Sequence, residues 1–370
     1  MKCNIIVKFA LGLYLKMMIS SADRKILELD ALIASSSCVS VVVHSHPDGD
    51  AIGSGIGLCH YLKEKRGCDC RLLVPDAFSE TLVFLPLDGF VIDASSDAAQ
   101  AERRIKESGL IFCLDMNHFN RAGVLENALA ASDARKVLID HHPDPDRDSF
   151  DVVFSETEIS SASELLYWVL TAMSGEGADA SVLPEATRRS LMTGMTTDTN
   201  NFANSVFPTT LAMASSLLGA GVDRDSILLH IYSCYRENRL RAMGFFLDRL
   251  MKITPDGVAY MIVTRETAER FDLHEGETEG FVNLPLSIEK VKMSLFLKED
   301  ASGEFFRVSV RSKKGWSANG LAGGYFNGGG HECAAGGKLF FPSDIPDREA
   351  AADYIEKVTA RFLHREGPAI

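Results

Sequence analysis

The sequence predicts an α/β protein: a mostly parallel sheet flanked by helices, then a helical linker, then a smaller α/β domain. Three observations carry this expectation. Short β-branched runs alternate with helical periodicities through the first part of the chain, which is the rhythm of a parallel sheet. From about residue 256 the pattern changes to closely spaced strands. The length of 370 residues corresponds to two or three domains at roughly 150 residues each.

The elements follow in order. Ser20 and Ser21 precede a helical pattern with Ile26, Leu29, Leu32 and Ile33 on one face. Val41 to Val43 read as a buried strand. That strand ends in the polar turn His44-Ser45-His46-Pro47-Asp48-Gly49-Asp50, after which Ile52, Ile56, Cys59 and Leu62 recur at helical spacing. A second apolar run, Leu110 to Leu114, ends in Asp115, and a third, Val137 to Ile139, ends in Asp140-His141-His142. The segment Leu191 to Asn200 follows a helix-like stretch over 185–192. Residues 226–252 read as one long connecting helix with Ile227, Ile231, Cys234, Leu240, Met243, Phe246, Leu247 and Leu250 inward. Strands are expected at 258–264, 291–297 and 305–311, the last with Arg307 and Arg311 on one face. A glycine-rich stretch over 323–337 and a closing helix over 347–364 complete the chain. The expected domains are 18–225, a linker at 226–255, and 256–370.

Hydrophobic residues at 46% and charged residues at 24% are globular composition, which excludes the disordered classes. With 38 basic and 51 acidic side chains, 38 − 51 gives −13, and the pI is near 5.3. That balance argues against a protein gripping long nucleic acid by general basicity. A short anionic substrate in a locally positive pocket stays open. The eight cysteines are scattered; only Cys68 and Cys70 lie close, with no second pair to complete a zinc site. Reduced thiols in a cytoplasmic protein are expected. The first twenty residues partly resemble a signal peptide, but the apolar run from Phe9 to Tyr14 is short, and Lys16 interrupts it. It is also too short to span a bilayer. Residues 1–17 therefore read as an extension, with Met17 or Met18 as the start, and no membrane partner is expected.

Three strand-like runs end in Asp or His, and open α/β sheets bind ligands at the carboxyl ends of their strands. His44, Asp48, Asp50, Asp115, His141 and Asp198 are six candidate ligands from four segments. So many carboxylates cluster only if cations neutralise them. Mixed carboxylate and imidazole ligation favours Mn2+, with Mg2+ possible and zinc less suited. Six ligands suit two divalent cations sharing a bridging carboxylate. Taken singly, Asp48 or Asp50 reads as turn chemistry, and Asp140-His141-His142 as a buried hydrogen-bonded cluster. Their order at successive strand ends favours metal.

HSHPDGDAIGS, LDMNHFNRAG, IDHH and TTDTNNF resemble, in order, the four motifs of the DHH phosphoesterase superfamily. VSVRSK, the Asn319 segment and GGGHECAAGG resemble its companion DHHA1 domain, and the likeness runs from about residue 20 to 340. The nearest subgroup is the stand-alone bifunctional oligoribonuclease (nano-RNase) and pAp phosphatase type. The resemblance implies that His44, Asp48 and Asp115 hold one metal, and that Asp50, Asp115, His141 and Asp198 hold a second. Asp115 would bridge. His142 would face the substrate phosphate as general acid or transition-state stabiliser, and Asp140 would orient the histidines. His46 stands where the family often has Asn and competes with His44. Arg311, Asn319, Gly329, Gly330 and His331 would bind substrate in a cleft opposite the metals. Lys313 and Lys314 read equally as further phosphate contacts or as a solvated turn, and Trp316 as packing before base stacking. Asn200, Ala203 and Asn327 depart from the Gly, Arg and Gly common at those positions.

The implied reaction is metal-activated hydroxide attack on phosphorus. It would degrade short oligoribonucleotides to mononucleotides and dephosphorylate 3′-phosphoadenosine 5′-phosphate (pAp). The alternative substrates are cyclic dinucleotides or their linear pNpN products. The partners implied are short single-stranded oligoribonucleotides and small phosphorylated nucleotides, not long duplexes. A processive exonuclease would need more binding domains, a pyrophosphatase lacks the GGGH-type clamp, and a non-catalytic module would not need intact ligand motifs. Oligomeric state stays open.

Overall fold

The computed structural model describes residues 22–175, 179–274 and 276–366. Ser20, Ser21 and the expected extension over 1–17 lie outside them. The chain divides into two compact units, Met1–Cys234 and Tyr235–Ile370.

The first unit runs α1 (Ala22–Ala34), β1 (Cys38–Val42), α2 (Gly49–Arg66), β2 (Asp69–Val74), β3 (Val91–Asp93), α3 (Ala98–Glu107) and β4 (Leu110–Leu114). It continues with α4 (Glu126–Ala131), β5 (Arg135–Asp140), β6 (Val152–Ser155), α5 (Ala162–Ser174), α6 (Glu185–Asp198), α7 (Pro208–Gly219) and α8 (Arg224–Tyr232). The six strands stand in the order β3-β2-β1-β4-β5-β6, and every pairing is parallel. From β1 the chain builds outward through β2 and β3, then returns to the other side of β1 for β4. The connections after β1 and β4 therefore diverge, which opens a crevice at the carboxyl ends of these two neighbours. Both faces of the sheet are covered. Val39, Val41, Phe112, Val137 and Ile139 enter one core with Leu29, Ile52, Leu166 and Leu191. The alternate residues Val42, Ile111, Cys113 and Leu138 enter a second with Ala101, Ile105 and Leu129.

Helices α2 and α6 meet along a glycine seam. A Cβ on Gly49 would strike Thr197; one on Gly53 would lie 2.6 Å from the Ser190 carbonyl oxygen and 2.8 Å from the Gly194 nitrogen. One on Gly57 would meet Leu191 at 3.2 Å. The partners descend as the glycines ascend, so the helices are antiparallel and the last turn of α6 lies against the first turn of α2. The sequence pattern ends this helix near 192, whereas α6 continues to Asp198. Thr193 and Thr196 are poor helix formers but fully buried, and packing overrides propensity there.

The second unit begins with α9 (Glu237–Phe245) and a π turn, then β7 (Lys252–Ile253), β8 (Val258–Val263), α10 (Arg265–Arg270), β9 (Met293–Glu299) and β10 (Phe305–Ser312). After these come α11 (Ala318–Tyr325), β11 (Gly329–His331), β12 (Ala334–Phe340) and α12 (Ala351–Glu366). Its sheet has the order β11-β12-β10-β9-β8-β7 and is antiparallel except for β8 with β9. Phe306, Val308, Val310 and Leu339 pack on Leu321, Ile355 and Phe362 from the helices.

The single helix expected over 226–252 is not formed. Helix α8 stops at Tyr232, Arg236 is extended (ψ 148°), and α9 passes through a π turn over Phe246–Leu250 into β7. Ile227 and Ile231 belong to the first unit's core, Ala242 and Phe246 to a cluster in the second. An apolar spacing that reads as one face serves two separate cores. Among the described residues no helix is long and apolar enough to cross a membrane.

Candidate metal centre and phosphate-binding loop

The crevice predicted by strand order is where the acidic and imidazole groups collect. After β1, His44 binds the Ser45 carbonyl through Nδ1 (2.8 Å), which turns Nε2 toward the carboxylates. That Nε2 lies 3.3 Å from Asp115 Oδ2 and 3.8 Å from Asp48 Oδ1. Asp48 caps α2, its Oδ1 accepting from the amides of Asp50 and Ala51; the turn chemistry and the ligand position coincide. Asp50, in the first turn of α2, is fully buried. Asp115 follows β4 with φ +56°, a left-handed backbone that aspartate tolerates better than most residues with a Cβ.

After β5, Asp140 Oδ1 accepts from His142 Nδ1 at 2.7 Å, and Oδ2 from the His142 amide at 3.1 Å. His141 Nε2 lies 3.4 Å from Asp115 Oδ1 and 3.6 Å from Asp198 Oδ2. His142 Nδ1 is 3.6 Å from Asp115 Oδ1. Within the first unit, three triads each offer ligand atoms within 4.8 Å of one another: His44, Asp48 and Asp115; Asp50, Asp115 and His141; Asp115, Asp140 and His142. Asp115 is common to all three, while Asp198 reaches the cluster beside His141. His46, the competitor of His44, is exposed with φ +53° and sits beside Asp76.

Electrostatics mark the cluster as short of positive charge. Burial resists charging His44 and His141, yet the carboxylates beside them raise both to about 10. Burial, then the negative charges of Asp48 and Asp115, lifts Asp198 to about 7. Burial and the neighbouring carboxylates push Asp50 up as well. Asp115 is held well below the usual range, against its burial, by His141 and His44. Burial lowers His142, and the nearby Arg121 adds to that. Buried Asp115 Oδ1 has no hydrogen-bond partner, a costly state for a carboxylate oxygen. A divalent cation fits this donor set: it would satisfy the orphaned oxygen and replace the protons the carboxylates now draw onto the imidazoles.

Two supports of this site escaped the sequence reading. The glycines at 49, 53 and 57 recur every four residues on one helix face, a readable sign of close helix packing. Asp50 is held by the Ala162 amide at Oδ2 (2.7 Å) and the Ser163 amide at Oδ1 (2.9 Å). The visible sign there was Ser161-Ala162-Ser163-Glu164, a capping sequence before an apolar run.

In the second unit the expected substrate residues fall around β11. His331 and Arg311 both pair with Ala334, from opposite sides, and so occupy one cross-strand row. Asn319 Oδ1 accepts from the Gly330 amide at 2.9 Å, so this oxygen shapes the loop. Gly330 has φ +150°, and a Cβ there would lie 2.7 Å from the Ala334 carbonyl oxygen. Lys313 is committed to the carbonyls of Ile288 and Glu289, and Trp316 packs at the edge of the core.

Residues 38–195 match the model for the DHH family, N-terminal domain, and residues 242–358 match that for the DHHA1 domain. A solved structure of an exopolyphosphatase-related protein from Bacteroides fragilis is 35% identical with a TM-score of 0.83, covering 92% of this chain and 96% of that one. The chain belongs to the DHH–DHHA1 phosphoesterase family. Among curated DHH–DHHA1 relatives, the bifunctional oligoribonuclease and PAP phosphatase NrnA of Bacillus subtilis is 26% identical over 307 residues, covering 81% of this chain and 90% of the relative. The protein of the same name from Thermus thermophilus is 28% identical over 317 residues, covering 84% and 86%.

Proposed function

We propose that this protein is a metal-dependent phosphohydrolase that degrades short oligoribonucleotides to mononucleotides and removes a phosphate from pAp. Asp115 carries the reading: a buried carboxylate on a left-handed backbone, with one oxygen that accepts no hydrogen bond and imidazole nitrogens of His44, His141 and His142 at 3.3–3.6 Å. The substrates are inferred from the names of the B. subtilis and T. thermophilus relatives. His44, Asp48 and Asp115 would hold one divalent ion, and Asp50, Asp115, His141 and Asp198 a second. The mixed oxygen and nitrogen donors favour Mn2+ and admit Mg2+. Such ions, when bound, polarise a phosphoryl oxygen and supply a nucleophilic water near neutral pH.

The chain's own groups do the remaining work. His142, oriented through Nδ1 by Asp140, would face the substrate phosphate as general acid or transition-state stabiliser. In the second unit, Arg311 and His331 hold a terminal phosphate beside the Gly329–Gly330 backbone, with Asn319 fixing the loop through the Gly330 amide. The free thiols of the described cysteines suit a cytoplasmic enzyme.

The test is a Mn2+ activity panel of pAp, di- to pentanucleotides, cyclic di-AMP and a long RNA, repeated after chelation. Turnover of pAp and the short strands, lost on chelation and restored by Mn2+, is expected. Turnover confined to cyclic di-AMP would overturn the substrate assignment, and no turnover at all would overturn the enzyme.

A further inference from the structure

We propose that Glu164 is a positioning residue for the metal centre, acting on Asp50 through the first turn of α5; this rests on the metal reading above. Asp50 is fully buried, and both its oxygens accept backbone amides, from Ala162 at 2.7 Å and Ser163 at 2.9 Å. These are the first two amides of α5, donors that a helix leaves unsatisfied and that its dipole aims at an anion. On the other side stands Gly194, where a Cβ would fall 2.8 Å from Asp50 Oδ1. The carboxylate is gripped between the start of one helix and the backbone of another. Its orientation therefore depends on where α5 begins.

Glu164 sets that start. It is fully buried, and its Oε2 accepts from the Ser160 amide (3.0 Å), the Ser160 hydroxyl (2.5 Å) and the Thr210 hydroxyl (2.7 Å). Its Oε1 accepts from Trp168 Nε1 at 3.3 Å. The Ser161 hydroxyl caps the helix by accepting the Glu164 amide at 3.0 Å. One carboxylate thus fastens the turn before α5, the body of α5 and the first turn of α7. Loosening it frees the first turn of α5, and with it Asp50. The second ion, on Asp50, Asp115, His141 and Asp198, should suffer; the first, on His44, Asp48 and Asp115, should not.

The experiment is a Mn2+ titration of the metal-free full chain by calorimetry and by electron paramagnetic resonance, which separates an isolated ion from a coupled pair. Glu164→Ala should weaken the second ion on the order of 10- to 100-fold, the usual cost of losing an outer partner, and leave the first unchanged. Glu164→Gln, which keeps an oxygen for Ser160 and Thr210, should recover most of the coupled signal. Ala162→Pro offers a second route. Proline is tolerated at the first helical position, but its ring replaces the N–H that Asp50 accepts, so it too should lose the second ion. Asp50→Asn tests the underlying reading and should lose the second ion outright. Folded Glu164→Ala or Ala162→Pro binding both ions as the wild type does, while Asp50→Asn loses one, would overturn the positioning role. Asp50→Asn keeping both ions would instead overturn the metal assignment. Should Glu164→Ala fail to fold, Ala162→Pro still tests the link from α5 to Asp50, and its keeping both ions would overturn the proposal.

Discussion

The two candidate regions, metal cluster and glycine loop, are built in opposite ways. The metal cluster is made of side chains from widely separated segments, mostly buried at the end of a sheet covered on both faces, with imidazoles set among the carboxylates to offset their repulsion. The glycine loop is made largely of backbone, spans one hairpin, and is mostly exposed. The first is expensive to assemble and fails as a unit; the second is local, and its parts fail separately.

The largest effect should come from the group on which the cluster converges. Asp115→Ala is expected to abolish metal-dependent hydrolysis and the binding of both ions while circular dichroism stays native; near-normal turnover would break the two-ion reading. Arg311→Ala acts on the other region. Losing a charge-assisted bond of about 1.5–3 kcal/mol should raise KM for pAp roughly 10- to 150-fold, with kcat much less changed. An unchanged KM would remove Arg311 from the clamp.

Glycines sharpen the contrast. Gly53→Ala places a methyl 2.6 Å from the Ser190 carbonyl oxygen and should cost about 1–3 kcal/mol as overpacking, visible as a lower Tm together with weaker Mn2+ binding. Gly324→Ala, in α11 with nothing within 4 Å, should be neutral or stabilising by about 0.5–1 kcal/mol. Equal losses would mean that the glycine seam does not position the metal cluster.

The metal cluster also carries a pH response. His44 and His141 rise from 6.5 to about 10, and Asp198 from 3.8 to about 7. A raised folded-state pKa gives stability that is full below the unfolded value and lost as pH climbs through the folded one. Metal-free protein should therefore lose this contribution from Asp198 between about pH 4 and 7, and from the two histidines between about pH 6.5 and 10. Mn2+ needs those groups deprotonated, so binding near pH 8 should release protons. Calorimetry in buffers of different ionisation enthalpy reads the release; none would contradict the protonated metal-free cluster.

Much of this was legible in the sequence because a buried strand that stops on Asp or His is a local event: Val43 to His44, Leu114 to Asp115 and Ile139 to Asp140 are visible within a few residues. Asp198 was legible as a residue but not as the end of a helix, since threonines hide helicity that burial enforces. The clamp on Asp50 was not legible at all, because backbone amides have no letter of their own. The linker misled for a related reason: Ile231 and Phe246 continue one spacing while facing different cores. His44 against His46 needed coordinates, since the backbone turns between them.

The smallest expected effect concerns the departures from family glycine. Asn327 has φ +49° and Asn200 φ +45°, and asparagine is among the residues that best tolerate this backbone. Asn327 also donates Nδ2 to the Lys338 carbonyl at 3.2 Å and to Asp344 at 2.8 Å. Asn327→Gly surrenders these exposed bonds and gains unfolded-state entropy, but relieves the backbone, so the net cost should stay within about 1 kcal/mol. Asn327→Ala surrenders the same bonds and keeps a Cβ in the left-handed region, adding about 1–2 kcal/mol. Alanine should therefore lower the melting temperature of the second unit further than glycine does, with Mn2+ affinity unchanged in both. Equal losses would show that the side-chain bonds, and not the backbone, hold the loop. A greater loss in alanine would show that asparagine here does the work of glycine.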